Sequence, residues 1–149
     1  MTIALGSDHG GFALKQALME HLSQKGVEFK DFGVFCAESA DYSDIAVQVA
    51  EAVACGEYEK GVILCGTGVG VSIAANKVTG IRAAHCHDVF SAQMSREHND
   101  ANILTMGERV IGTGLAAMIL DTWLCTDFAG GRHARRVDKI KAYEQGRRS

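Results

Sequence analysis

The chain has no proline in 149 residues, no surplus of basic charge and no long uninterrupted apolar run. Without proline, turns fall to glycine, whose missing Cβ opens the φ > 0 region, and 17 glycines are present. Fifteen basic against 18 acidic side chains leave a formal charge of −3. That argues against a nucleic-acid partner, because phosphate backbones are held by basic surfaces. No stretch reaches the roughly 18 uncharged apolar residues of a membrane span, and Thr2-Ile3-Ala4-Leu5 is too short for a signal peptide. No membrane partner is expected, and the chain reads as cytoplasmic. The five cysteines, Cys36, Cys55, Cys65, Cys86 and Cys125, are scattered and nowhere spaced C-x-x-C. A disulfide framework and a structural zinc site are both disfavoured, no metal is expected, and most of the thiols read as small buried hydrophobes.

What is present fits one domain over residues 1–149, since the length matches the roughly 150 residues usual for a single core. Thr2 to Ser7, Val27 to Phe32, Gly61 to Cys65, Ile81 to His85 and Ile103 to Met106 are near-continuous apolar runs, as in strands covered on both faces. Between them Leu14, Leu18 and Leu22, then Ile45, Val49 and Val53, recur every fourth residue and share a helical face. A helix is expected over Val71 to Lys77. Asp88 is an expected N-cap for Val89 to Arg96, and Thr113 one for Gly114 to Leu124. A basic segment from Arg135 to Arg148 follows the Gly130-Gly131 break and is expected as a C-terminal helix. Alternating strands and helices imply an α/β fold: a three-layer, Rossmann-like sandwich around a central parallel sheet of five strands. Ligands of such sheets sit beyond the strand carboxyl ends. The loops after the first, third and fourth strands, together with the segment leading into the fifth, are therefore where chemistry is expected.

After strand one comes Gly6-Ser7-Asp8-His9-Gly10-Gly11, a carboxylate beside an imidazole at a helix entrance. Asp8 suits either an N-cap or proton handling, and His9 either a solvated loop or an anion site. After strand three, Cys65-Gly66-Thr67-Gly68-Val69-Gly70 exposes successive backbone N–H groups that form an oxyanion or phosphate cradle. No G-K-[ST] follows, and the third glycine comes one residue early for G-x-G-x-x-G; a dinucleotide loop with Asp88 as its acid stays open on pattern alone. Cys65 abuts a helix N-terminus, which favours a thiolate, although an isolated cysteine is as readily a core filler. His98 is either a helix-terminal imidazole or an acid/base group facing the same cleft. Arg132 and Arg136 lie four apart, so on a helix they can clamp one phosphate, or belong to a solvated basic tail.

Seven blocks, in order, resemble one family: Gly6 to Gly11, Cys65 to Gly70, Ala75-Asn76-Lys77, Gly80-Ile81-Arg82-Ala83-Ala84, His98-Asn99-Asp100-Ala101-Asn102, Gly107-Glu108-Arg109-Val110-Ile111-Gly112, and Gly130-Gly131-Arg132-His133-Ala134-Arg135-Arg136. They are similar to the type B ribose-5-phosphate isomerases and their allose-6-phosphate and galactose-6-phosphate relatives. The resemblance implies an aldose-ketose isomerase without cofactor or metal, acting on a phosphorylated sugar as a homodimer or dimer of dimers with shared active sites. By position it makes Cys65 the carbon base and gives the enediolate to the amides of Gly66, Thr67, Gly68, Val69 and Gly70. Thr67 and His98 become the ring-opening pair, with His98 the proton donor. Asp8 and Asn99 would hold sugar hydroxyls, and His9, Arg109, Arg132 and Arg136 the phosphate.

One branch of that family carries a glutamate directly after the glycine loop, where this chain has Val71. Many relatives have a proline at the positions of Ser43 or Thr79. The expected reaction is the interconversion of ribose 5-phosphate and ribulose 5-phosphate, with a hexose-6-phosphate isomerase as the alternative in the same family. A phosphate- or nucleotide-binding module without catalysis would have no use for a base and an acid. A thiol redox protein would need a resolving cysteine beside Cys65, and the loop has none.

Overall fold

The computed structural model describes residues 1–146. Five strands, β1 (Thr2–Ser7), β2 (Glu28–Asp31), β3 (Lys60–Cys65), β4 (Ala83–His85) and β5 (Ile103–Gly107), alternate with helices α1 (Phe12–Gln24), α2 (Tyr42–Ala54), α3 (Val69–Ala75), α4 (Val89–Glu97), α5 (Thr113–Cys125) and α6 (Arg132–Gly146). All the strand pairs are parallel, in the order β2-β1-β3-β5-β4. The expected α/β sandwich is therefore the observed one.

Each sheet face has its own core. On one, Leu14, Leu18 and Leu22 of α1 meet Ile119, Leu120 and Trp123 of α5 over Leu5, Leu64 and Met106. On the other, Val49 and Val53 of α2 join Val71 and Ala75 of α3 over Ala4, Ile63 and Ile103. Each fully buried aliphatic side chain contributes roughly 1.5–3 kcal/mol. Lys15 is also fully buried; its ammonium is held by Asp31 Oδ1 at 2.7 Å and the Val34 carbonyl at 2.5 Å. β4 is an edge strand whose outer polar groups are sealed by Asn76, which accepts from Ala83 N and donates to Ala83 O.

Several sequence expectations shift. α5 begins at Thr113 itself, with Gly112 as N-cap, and α3 begins at Val69. Both starts follow backbone geometry: Gly68 takes a left-handed φ of 77° and Gly112 an extended conformation, so the helix can enter at the next residue. α6 starts at Arg132 rather than Arg135, and Arg147 and Arg148 lie outside the described residues. The cysteines differ from the expectation that most are buried: Cys65 and Cys86 are buried, whereas Cys36, Cys55 and Cys125 are exposed, two of them at helix ends that taper off the core. Among the described residues no helix is long and apolar enough to cross a membrane.

Candidate active site

The chain winds from β1 outward to β2 and then back to β3 on the other side of β1. That reversal opens a crevice between the carboxyl ends of β1 and β3. Two glycine-rich loops fill it and touch. Asp8 N donates to the Leu64 carbonyl at 3.3 Å, and a Cβ on Gly10 would stand only 3.0 Å from Gly66 N. Asp8, 7% exposed, does cap the following turn, since Oδ1 accepts from Gly11 N at 3.1 Å. The cap and the site therefore coincide. His9 is exposed, and its Nδ1 accepts from Ala40 N at 3.2 Å, which leaves Nε2 to carry the hydrogen of the neutral ring.

Cys65 ends β3 inside this crevice, and its Sγ accepts from Gly68 N at 3.0 Å. Amide donors aimed at sulfur are what a sulfur anion requires. Val69 N donates to Thr67 Oγ1 at 3.2 Å. The loop is packed from beneath, because a Cβ on Gly107 would lie 2.4 Å from the Thr67 carbonyl carbon. Arg109, from the loop after β5, covers its mouth: the backbone N donates to the Gly66 carbonyl at 3.0 Å, and Nη1 lies 3.1 Å from where a Gly66 Cβ would stand. Val71, the position of the alternative glutamate, is fully buried, so Cys65 is the one titratable side chain within residues 65–71.

Four further neighbours belong to none of the motifs singled out above for this crevice. The Tyr42 ring lies against Gly70. Glu108 accepts from Leu14 N at 2.8 Å and so caps α1. His85 lies against Gly68 with Nδ1 3.2 Å from Thr105 Oγ1, and His87 Nε2 accepts from Gly107 N at 3.0 Å. Burial lowers the proton affinity of both imidazoles, and the His87 ring 4.3 Å away lowers that of His85 further. Neutral rings therefore prop the loop. The available signal was a histidine ending β4, His85, and another two residues on, His87.

The other half of the expected site lies elsewhere, which corrects the expectation of one cleft. His98 caps the end of α4, before β5, and Asn102 O accepts from Gly61 N at the start of β3. In the β3–β5 register Gly61 faces Ile103 while Cys65 faces Gly107. Four residues of strand, about 13 Å, thus separate the two rims. His98 and Asn99 belong to the amino-end rim and Cys65 to the carboxyl-end rim. Arg132 and Arg136 stand on α6 next to the His98 rim: the His133 ring stacks on His98 with centroids 4.1 Å apart, and Ala129 N donates to the Glu97 carbonyl. No carboxylate pairs with either arginine in the ion pairs of the described residues. One chain thus brings together Asp8, His9, Cys65 to Gly70 and Arg109, and separately His98, Asn99, Arg132 and Arg136. Neither of two surface cavities, about 290 Å³ beside Phe35 and about 720 Å³ beside Cys55, contains Cys65.

Fold and rim together define an open α/β protein with a glycine-rich loop and a buried thiol at its sheet crossover. The chain belongs to the ribose/galactose isomerase family, whose model matches residues 3–140. It is 54% identical over 145 residues to ribose-5-phosphate isomerase B of Escherichia coli, covering 97% of each chain. It is 43% identical to a D-erythrulose-4-phosphate isomerase of Pectobacterium atrosepticum, covering 97% of this chain and 95% of that one. Its structure superposes on ribose-5-phosphate isomerase B of Clostridium thermocellum with a TM-score of 0.96 at 56% identity, covering 98% and 99% of the two chains.

Proposed function

We propose that the chain is an aldose-ketose isomerase that interconverts ribose 5-phosphate and ribulose 5-phosphate, and that its active site is completed by a second copy. The observation that carries the reading is the Gly68 amide on Cys65 Sγ within a cradle of backbone donors. In the aldose direction the Cys65 thiolate takes the proton from C2. The electron pair moves into C1–C2, and the carbonyl oxygen becomes an enediolate held by the loop amides of Gly66, Thr67 and Gly70, while those of Gly68 and Val69 serve Cys65 Sγ and Thr67 Oγ1. The O2 proton passes to O1 and the Cys65 thiol returns its proton to C1, which leaves a carbonyl at C2, a hydroxyl on C1 and the thiolate restored. Donors preorganised for such an oxyanion are typically worth about 3–4 kcal/mol each. Asp8 and Asn99 hold sugar hydroxyls, and His9, Arg109, Arg132 and Arg136 hold the phosphate. His98 donates the proton that opens the furanose, with Thr67 as its partner across the ring.

Because the rims point apart, His98 serves the Cys65 of another copy, in a homodimer or a dimer of dimers. Exposed Phe90, Met118, Ile140 and Tyr143 supply apolar surface for such contacts. The proposed setting is the cytoplasm and pentose phosphate interconversion. Purified protein given ribose 5-phosphate in deuterated water should form ketose and incorporate deuterium at the exchanging carbon. Conversion only of four- or six-carbon phosphates would overturn the pentose assignment.

Mixing variants tests the shared site. A Cys65→Ala chain combined with a His98→Asn or Arg136→Ala chain should recover activity, because each mixed dimer holds one intact site. Arg136→Ala combined with His98→Asn should not recover, since both defects lie in the same half. Heterodimers that form without recovery in the first pair would place each site within one chain.

A further inference from the structure

The turn that carries His98 and Asn99 is held far more tightly than a helix-to-strand connection needs. Among the described residues Asp100 is the only one other than glycine with a positive φ, 49°. Two arginines from different parts of the chain close on it. Arg82, just before β4, donates from Nε to the carbonyls of Asn99 at 3.0 Å and Asp100 at 3.1 Å. Its Nη2 reaches the Asp100 carbonyl at 2.8 Å and Oδ2 at 3.0 Å. Arg96 of α4 takes the other carboxylate oxygen, with Nη1 3.0 Å from Oδ1 and 2.6 Å from the Ala101 carbonyl, while its Nε lies 3.3 Å from the Thr126 carbonyl. Asn102 locks Arg82 in turn, since its Oδ1 accepts from Arg82 N at 2.8 Å and its backbone N donates to the Arg82 carbonyl.

The Arg96 side chain is 9% and the Arg82 side chain 17% exposed, so both forks are fixed by burial as well as by bonds. The guanidinium planes converge on the carbonyls immediately after His98. A rotation of this turn would carry the imidazole and the Asn99 amide with it. Planar, pre-organised forks restrict such a rotation in a way a flexible ammonium does not. Reactions that depend on a placed proton donor lose rate steeply when it moves by about 1 Å.

We propose that Arg82, Arg96 and Asp100 form a clamp that positions His98 for opening of the sugar ring. The three are positioning residues, and the inference rests on the isomerase reading above. The chemistry of the two sugars separates the steps. Ribose 5-phosphate is closed as a furanose and must be opened. Ribulose 5-phosphate, with its carbonyl at C2 and O5 phosphorylated, has no hydroxyl placed to close a five-membered ring. Exchange of its C1 hydrogen with solvent therefore needs the carbon base and the amide cradle but no ring opening.

The test is Arg82→Lys, which keeps the charge and loses the fork, with Asp100→Asn as a second variant, because asparagine tolerates positive φ and removes only the charge. Each is measured for conversion of ribose 5-phosphate and for deuterium wash-in at C1 of ribulose 5-phosphate, with thermal melting as the check on folding. Conversion should fall by about tenfold or more while wash-in stays within about threefold of the parent. Mixing Arg82→Lys with Cys65→Ala should restore conversion, and mixing it with His98→Asn should not. Equal loss in both readouts, or no loss in either, overturns the clamp. A parent protein that neither converts ribose 5-phosphate nor exchanges ribulose 5-phosphate overturns the isomerase reading first, and the clamp with it.

Discussion

Gly107→Ala adds one methyl group at the point where β5 passes under the glycine loop. A Cβ there would stand 2.4 Å from the Thr67 carbonyl carbon, 2.5 Å from its oxygen and 2.7 Å from its Cα, all backbone atoms. Ordinary contact begins near 3.4 Å, so the loop must rise by about 1 Å or β5 must sink by as much. β5 is the poorer candidate: it is paired with β3 on one side and β4 on the other, and the segment is fully in the core. The loop is tied down more lightly, by the Gly68 N–H on Cys65 Sγ and the Val69 N–H on Thr67. Overpacking of this kind costs about 1–3 kcal/mol of stability, which at this chain length lowers Tm by roughly 2–12 °C. The larger effect is on catalysis, because a displacement of about 1 Å between base, cradle and substrate can cost about 100-fold in rate. The assay is kcat and KM for ribose 5-phosphate beside a thermal melt at the same pH. A fall in kcat near 100-fold with a still cooperative melt is expected. Activity within about threefold of the parent in a folded variant would refute the cradle as the seat of enediolate stabilisation.

Cys65→Ala should lower kcat by about 10²–10⁴-fold, the range for a general base, while calorimetric binding of the sugar phosphate survives; near-normal turnover would remove the thiol from the mechanism. Native alkylation should label exposed Cys36, Cys55 and Cys125 regardless of substrate, whereas labelling of Cys65 should slow when ribose 5-phosphate is bound; burial pushes the Cys86 thiol up, so it should stay unlabelled. Burial holds His85 and His87 below the ordinary imidazole range, so the unfolded chain takes up protons near pH 6.5 before the native one does. Their contribution to stability is therefore present above about pH 6.5 and lost as the pH falls below it, and His87→Asn should flatten the dependence of Tm on pH between about 7 and 5; an unchanged slope would refute this. Lys15→Met should cost about 3 kcal/mol in chemical denaturation, the low end for breaking a buried pair, because Asp31 keeps 18% of its side-chain surface in water.

β1, β3 and β5 were legible because buried parallel strands read as apolar runs, whereas β2 and β4, at the two sheet edges, are only partly covered and depart from that expectation. Strand ends were less legible. Ile81 is apolar and buried, yet β4 begins only at Ala83, because Arg82 N is taken by the Asn102 side chain instead of a strand neighbour. The Asp8 and Cys65 loops could be placed in one crevice because both follow strands that the sheet order puts side by side. His98 could not be placed that way. A segment entering a strand lies at the opposite rim from one leaving it, and grouping it with Cys65 needed resemblance to a family, not periodicity. The Arg82 fork, the His85 prop and the Gly107 contact were illegible for a common reason: each acts through a backbone segment brought near only by sheet order.

The split between the rims also orders the charges. The His98 rim carries Arg132, Arg136 and the stacked pair of His98 and His133, and partial burial together with the neighbouring His98, Arg132 and Arg136 lowers the proton affinity of His133. Neither Arg132 nor Arg136 is in an ion pair among the described residues, so under the proposed shared site both would stabilise a dianion held at the Cys65 rim of a second copy. On the shared-site reading the phosphate therefore touches Arg109 and His9 of one chain and Arg132 and Arg136 of the other. A ligand that requires both chains binds the dimer and not the separated monomer. At one hundred times its Kd it adds about 2.7 kcal/mol to the association. On that same reading assembly and catalysis depend on the same contacts: the proposed acid and carbon base meet only across the interface, and the substrate helps to hold that interface together.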